Sequence, residues 1–78
     1  MTPTIGRIVV YKTTDEDKEF MRNNSCNVQD ELPAIIVAVW GEEMINAKVI
    51  TDGTVPFLWK TSIHKGELIG EWNFPVIK

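Results

Sequence analysis

MINAKVITDGTVPFLWKTSI, residues 44–63, is the stretch on which the fold turns. Ile45, Ala47 and Val49 alternate with Asn46 and Lys48, the period of two expected of a strand with one face buried and the other in water. Asp52-Gly53 follows, and because both residues tolerate the positive φ of a tight reversal, the pair predicts a hairpin. Pro56 to Ile63 then reads as the partner strand. Its alternation sets Phe57, Trp59, Thr61 and Ile63 on one side and Leu58, Lys60 and Ser62 on the other.

Working outward, PAIIVAVW (33–40) is almost continuously apolar, which predicts a strand central in the sheet or buried on both faces. Gly41-Glu42-Glu43 turns it back toward residue 44. IGRIVVYK (5–12), just after Pro3, supplies a first strand, and EWNFPVI (71–77) a last one in which Trp72, Phe74 and Val76 alternate with Glu71 and Asn73. Pro75 has no N–H to give to a ladder and so places that last strand at an edge. The polar stretch 13–32 reads as a long connection. Within it DEDKEFMR suits one helical turn, capped by Thr14 or Asp15, with Phe20 and Met21 inward. Five strands with a long loop between the first and second predict an all-β fold, a small five-stranded SH3-like barrel. An OB-like barrel is the alternative, but it carries a helix between its third and fourth strands, where this chain has only Asp52 to Val55.

The 78 residues make one domain, residues 1–78, because a second core needs roughly 50 residues of its own. A net charge of −3 argues against a broad electrostatic grip on nucleic acid, and the eight basic residues are scattered from Arg7 to Lys78. Cys26 is the single cysteine, so no intrachain disulfide forms, and a lone thiol suits a reducing compartment. No apolar run approaches the roughly 18 residues of a membrane span, and the N-terminus does not have the pattern of a secretory leader. A cytoplasmic protein without membrane contact is expected.

His64 is the only histidine, so a site built on several imidazoles or on a Cys/His cluster is excluded by counting. His64 is expected in a solvent-facing turn and Cys26 in a polar loop with nothing to activate its thiol. The carboxylates fall in runs, Asp15-Glu16-Asp17 with Glu19, Asp30-Glu31 and Glu42-Glu43, and read as solvated faces. No phosphate-cradling or common hydrolase motif occurs. The expectation is therefore a protein that is not an enzyme and has no cofactor and no catalytic or metal site.

The aromatics are the informative class. Trp40, Trp59 and Trp72 are expected to fill the small core. The alternative leaves Trp40 partly exposed beside Gly41, joined to Tyr11 in a docking platform that Met44 and Phe20 border. Tyr11, Trp40, Met44 and Lys60 are the candidate partner-binding residues. A nucleic-acid reading would use Tyr11, Trp40, Arg7, Lys48 and Lys60 instead.

IGRIVVYK with PTIGR at its head, PAIIVAVW, NAKVITDGT, LWKTSI and GEWNFP together resemble a group of short uncharacterised proteins encoded by bacteriophages and prophages. Those proteins look like PxxGRxVxY, PAxVxxVW, VNLxVFxDG, LWxTS and GxWHWP, a pattern that covers about Thr4 to Pro75 and leaves 13–32 variable. This chain departs at Asn46-Ala47, where the group more often has Asn-Leu, and at Asn73-Phe74, where it has His-Trp. The resemblance implies phage or prophage origin and expression in a bacterial host cytoplasm, and it implies no activity. The expected function is a non-enzymatic protein-interaction module, with an unidentified protein partner or self-association. Nucleic-acid binding by a small barrel and a minor structural role in the virion are the alternatives.

Overall fold

Alternation in the strands becomes one curled antiparallel sheet in the computed structural model, which describes residues 2–76. The end of the expected last strand at Ile77, and the basic Lys78, lie outside the described residues. In chain order the elements are β1 (Ile8–Lys12), α1 (Asp15–Asn23), β2 (Cys26–Asn27), β3 (Glu31–Val39), β4 (Met44–Ile50), β5 (Asp52–Gly53), β6 (Phe57–His64) and β7 (Trp72–Asn73). The sheet runs β6-β4-β3-β1-β7. Three consecutive antiparallel neighbours, β3, β4 and β6, thus lie on one side of β1 and the last strand returns on its other side. This is the order of a small SH3-like half-barrel. The OB-like alternative is not realised, since β1 pairs with β3 and β7, and the helix falls between β1 and β3.

Alternate side chains fill the concave side. Val9 and Tyr11 of β1, Leu32, Ala34 and Ile36 of β3, and Ile45, Ala47 and Val49 of β4 are all buried. β3 is central, as its composition predicts, but it is not covered on both faces. Val37 is 38% exposed, because no second layer lies on the convex side of the sheet.

Two irregularities reset the alternation. The β3–β4 register shifts between Ile36 and Ala38, so that Val39 packs against the core while Trp40 is exposed. The β4–β6 register shifts between Ile45 and Ala47, opposite Ser62, whose φ of 52° lies in the left-handed region that a side chain rarely adopts. A bulge bends its strand and re-aims the side chains beyond it. In β6 it overturns the expected grouping: Phe57 and Trp59 are exposed, while Ile63 beyond the bulge is buried.

The connection 13–32 is more ordered than a loop. Thr14 caps α1 through a reciprocal box, its hydroxyl accepting from the Asp17 amide at 3.1 Å and the Asp17 carboxylate from the Thr14 amide at 3.0 Å. Met21 is buried but Phe20, turned about 100° from it around the helix, is 37% exposed. Asp17, one turn before Met21, is buried as well and does not belong to a solvated run.

Asp52-Gly53 is also put to a different use from the one its residues suggest. It forms β5, paired with β2, and the β4–β6 hairpin closes through Thr51, whose amide donates to the Pro56 carbonyl and whose hydroxyl donates to that of Val55. A Cβ at Gly53 would sit 2.7 Å from Cys26 Sγ and 2.7 Å from the Ser25 carbonyl, so glycine is required there for close approach. Cys26 is accordingly buried on β2 and not exposed in a loop. His64 is exposed as expected, though it ends β6 opposite Met44 and does not lie in a turn, and β7 is an edge strand, as expected.

Candidate docking surface

Of the four residues singled out from the sequence, two lie inside the half-barrel. Tyr11 is 2% exposed, so it offers no docking surface, and its hydroxyl donates to Asp17 Oδ2 at 2.7 Å. Lys60 points to the same place, its Nζ 2.5 Å from Asp17 Oδ1 and 5.9 Å from the centre of the Tyr11 ring. Burial alone would raise the Asp17 carboxyl, but the Lys60 ammonium, the Thr14 amide and the Tyr11 hydroxyl outweigh it and hold the group below its ordinary value. The Tyr11 phenol is pushed far up, first by burial and then by the carboxylate it serves. Asp17 is thus an ionised, fully partnered hub that locks α1 to β1 and β6.

The other two lie together on the opposite side. The Trp40 amide donates to the Met44 carbonyl at 2.9 Å, and the Trp40 indole N–H donates to Asn46 Oδ1 at 3.0 Å. Asn46 Oδ1 also accepts from the Ser62 amide at 2.7 Å, so one side chain satisfies the bulge and steadies the tryptophan. Trp40 is 63% exposed even so. The expected Tyr11–Trp40 platform does not form, because the two aromatics lie on opposite sides of the sheet.

What the convex side does carry is a wider apolar face. Ladder pairing sets Ile8 against Ile35, Ile35 against Lys48 and Lys48 against Trp59, a row across four strands. Beside it Ile50 pairs with Phe57. Trp59 is 63% exposed and Phe57 47%, although tryptophan and phenylalanine are the side chains with most to gain from burial. Lys48 lies between them, its Nζ 4.7 Å from the Phe57 ring centre and 5.6 Å from that of Trp59, within cation–π range. Among the described residues no carboxylate lies within ion-pair distance of Lys48.

The expectation that Trp59 fills the core is overturned, and Phe57 goes with it, because Lys60 between them and Ile63 points inward. A lysine in a strand is ordinarily placed in water, which assigns its neighbours Trp59 and Thr61 to the core. The inward Lys60 makes sense only with Asp17, 43 residues away, buried beside it. Chemically the face offers apolar contact, ring stacking and one cation; no group of three or more His, Cys, Asp or Glu side chains that could hold a metal occurs among the described residues. In comparisons with protein-family models, curated proteins and solved structures, the chain matches none.

Proposed function

We propose that the chain is a non-enzymatic protein-interaction module that docks its partner on the convex face of the sheet. The observation that carries this reading is the exposure of Trp59 and Phe57 around Lys48 in a row continuous with Ile35 and Ile8. Contiguous exposed apolar patches mark interaction sites, and tryptophan is prominent among the residues that dominate binding energy. Trp40 borders the same side of the molecule. The resemblance to phage-encoded proteins supports a bacterial host cytoplasm as the setting. No described helix is long and apolar enough to cross a membrane.

The nucleic-acid reading has less support, because its cations are not gathered. Lys60 is turned inward to Asp17, and Arg7 stacks on Phe74 at 5.3 Å, leaving Lys48 on the aromatic face. Phosphate tracking needs several cations along one groove. Pull-down from phage-infected or lysogenic bacteria should enrich one partner with the wild-type chain and lose it with Trp59→Ser. Loss of a binding hot spot of this kind costs about 2 kcal/mol or more, roughly 30-fold in affinity. Retention of the partner by a folded Trp59→Ser variant would overturn the proposal. Oligonucleotide binding that weakens steeply with salt would replace it with the nucleic-acid reading.

A further inference from the structure

Lys48 says more about the partner than the rings around it do. The chain carries eleven carboxylates and a net charge of −3, yet none of the described ones is placed on Lys48. Five of them pair with other cations: Glu31 and Glu67 with Lys12, Asp30 with Lys18, Glu19 with Arg22 and Asp17 with Lys60. The ammonium instead rests against Phe57 and Trp59, which hold it in place without neutralising it. Any partner that covers Trp59 also covers Lys48 and strips its water. An ammonium buried without a counter-charge is strongly unfavourable, so a partner that docks here has to bring an anion to that point.

Resting on the reading of this face as a protein-docking surface, we infer that the partner is a protein segment presenting a carboxylate among apolar side chains, with the carboxylate received by Lys48 between Phe57 and Trp59. Charge complementarity decides between the possible occupants. A second copy packed face to face with its two-fold axis through the Phe57–Trp59 patch would bring Lys48 toward its own symmetry mate, a like-charge contact in a drying interface. A nucleic-acid strand repeats its phosphates at every nucleotide and needs a track of cations. At the two ends of β1, Arg7 stacks on Phe74 at 5.3 Å and Lys12 is held by Glu31 at 3.2 Å and Glu67 at 3.9 Å. Among the described residues of this face, one cation without an ion pair in an apolar field matches one carboxylate in an apolar segment.

The test is a displayed library of randomised peptides panned against the wild-type chain, Lys48→Glu and Trp59→Ser, with thermal melting to show that all three are folded. Peptides selected by the wild type should carry Asp or Glu flanked by apolar residues, and should bind Lys48→Glu about tenfold or more weakly. Panning on Lys48→Glu should select Lys or Arg at that place instead. If wild type and Lys48→Glu select the same peptides, the carboxylate is wrong while the docking face stands. If no peptide is enriched, or if the peptides bind Trp59→Ser as well as they bind wild type, the face itself fails. Displacement of the peptides by a single-stranded oligonucleotide at low salt would reassign the face to nucleic acid.

Discussion

Asp17 ties together three segments far apart in the chain: its own helix through the Thr14 box, β1 through Tyr11, and β6 through Lys60. Removing one partner of such a buried pair leaves an uncompensated charge, so Asp17→Ala should destabilise the protein by about 3–5 kcal/mol in urea unfolding at neutral pH. Tyr11→Phe, which removes one hydrogen bond to a charged group, should cost only about 1.5–3 kcal/mol. The pH dependence has a definite sign. The folded-state pKa of Asp17 lies below its ordinary 3.8, so the unfolded chain binds the proton more readily. The stabilisation is therefore complete above the unfolded value and is lost as pH falls through the folded one. Asp17→Asn should melt at a lower temperature than wild type at neutral pH, and the gap should close in acid. Some acid dependence will persist in the variant, because Asp30 is also held below its ordinary value by Lys18. A gap that stays constant down to low pH would show that the carboxylate is not the ionised centre of this cluster.

At the scale of elements, the β2–β5 pair shows how a short connection is held in place. Gly53→Ala drives a Cβ into Cys26 and the Ser25 carbonyl, so the two strands must part. The expected cost is about 1–3 kcal/mol, with faster modification of the otherwise buried Cys26 by a thiol reagent. Gly41→Ala is the control, since nothing lies within 4 Å of the added methyl. Unchanged thiol reactivity in Gly53→Ala would mean that β2 is not held by this contact. The same pair marks how far local sequence carries. Ile45, Ala47 and Val49 could be placed inward from alternation alone, because period two is a property of the strand itself. Asp52-Gly53 could not, because a pair that tolerates a tight turn is equally suited to close approach, and only the arrival of Cys26 decides between the two. Of the proposed docking face, the sequence reading names Trp40 as a candidate partner-binding residue and Lys48 only for the nucleic-acid alternative. Phe57 and Trp59 were hidden by the bulge at Ser62 and by a lysine whose counter-charge comes from another segment.

Across the whole molecule, the strand order makes the last element close the first. β7 is two residues long and has few ladder bonds of its own, so its hold on the sheet depends on Trp72, which is fully buried against Tyr11's strand and meets Phe74 edge-on at 5.2 Å. Its indole N–H donates to the Glu43 carbonyl at 3.0 Å, the Lys65 amide donates to that same carbonyl at 2.7 Å, and the Gly66 amide donates to the Trp72 carbonyl at 2.8 Å. Through its indole and its backbone carbonyl, Trp72 therefore joins the β3–β4 turn and the start of the last connection to the edge strand beside β1. A domain of this size has a stability near the lower end of the usual 5–15 kcal/mol, and truncating a buried tryptophan costs about 3–5 kcal/mol. Trp72→Ala should accordingly leave the chain largely unfolded at 37 °C, or lower its melting temperature by more than about 12 °C. Trp59→Ser, an equally large truncation on the exposed face, should move the midpoint by no more than a few degrees. Near-ultraviolet circular dichroism and thermal melting of the two variants make the comparison directly. If Trp59→Ser proved the more damaging, the convex face would be part of the core, and its reading as a docking surface would fall with it.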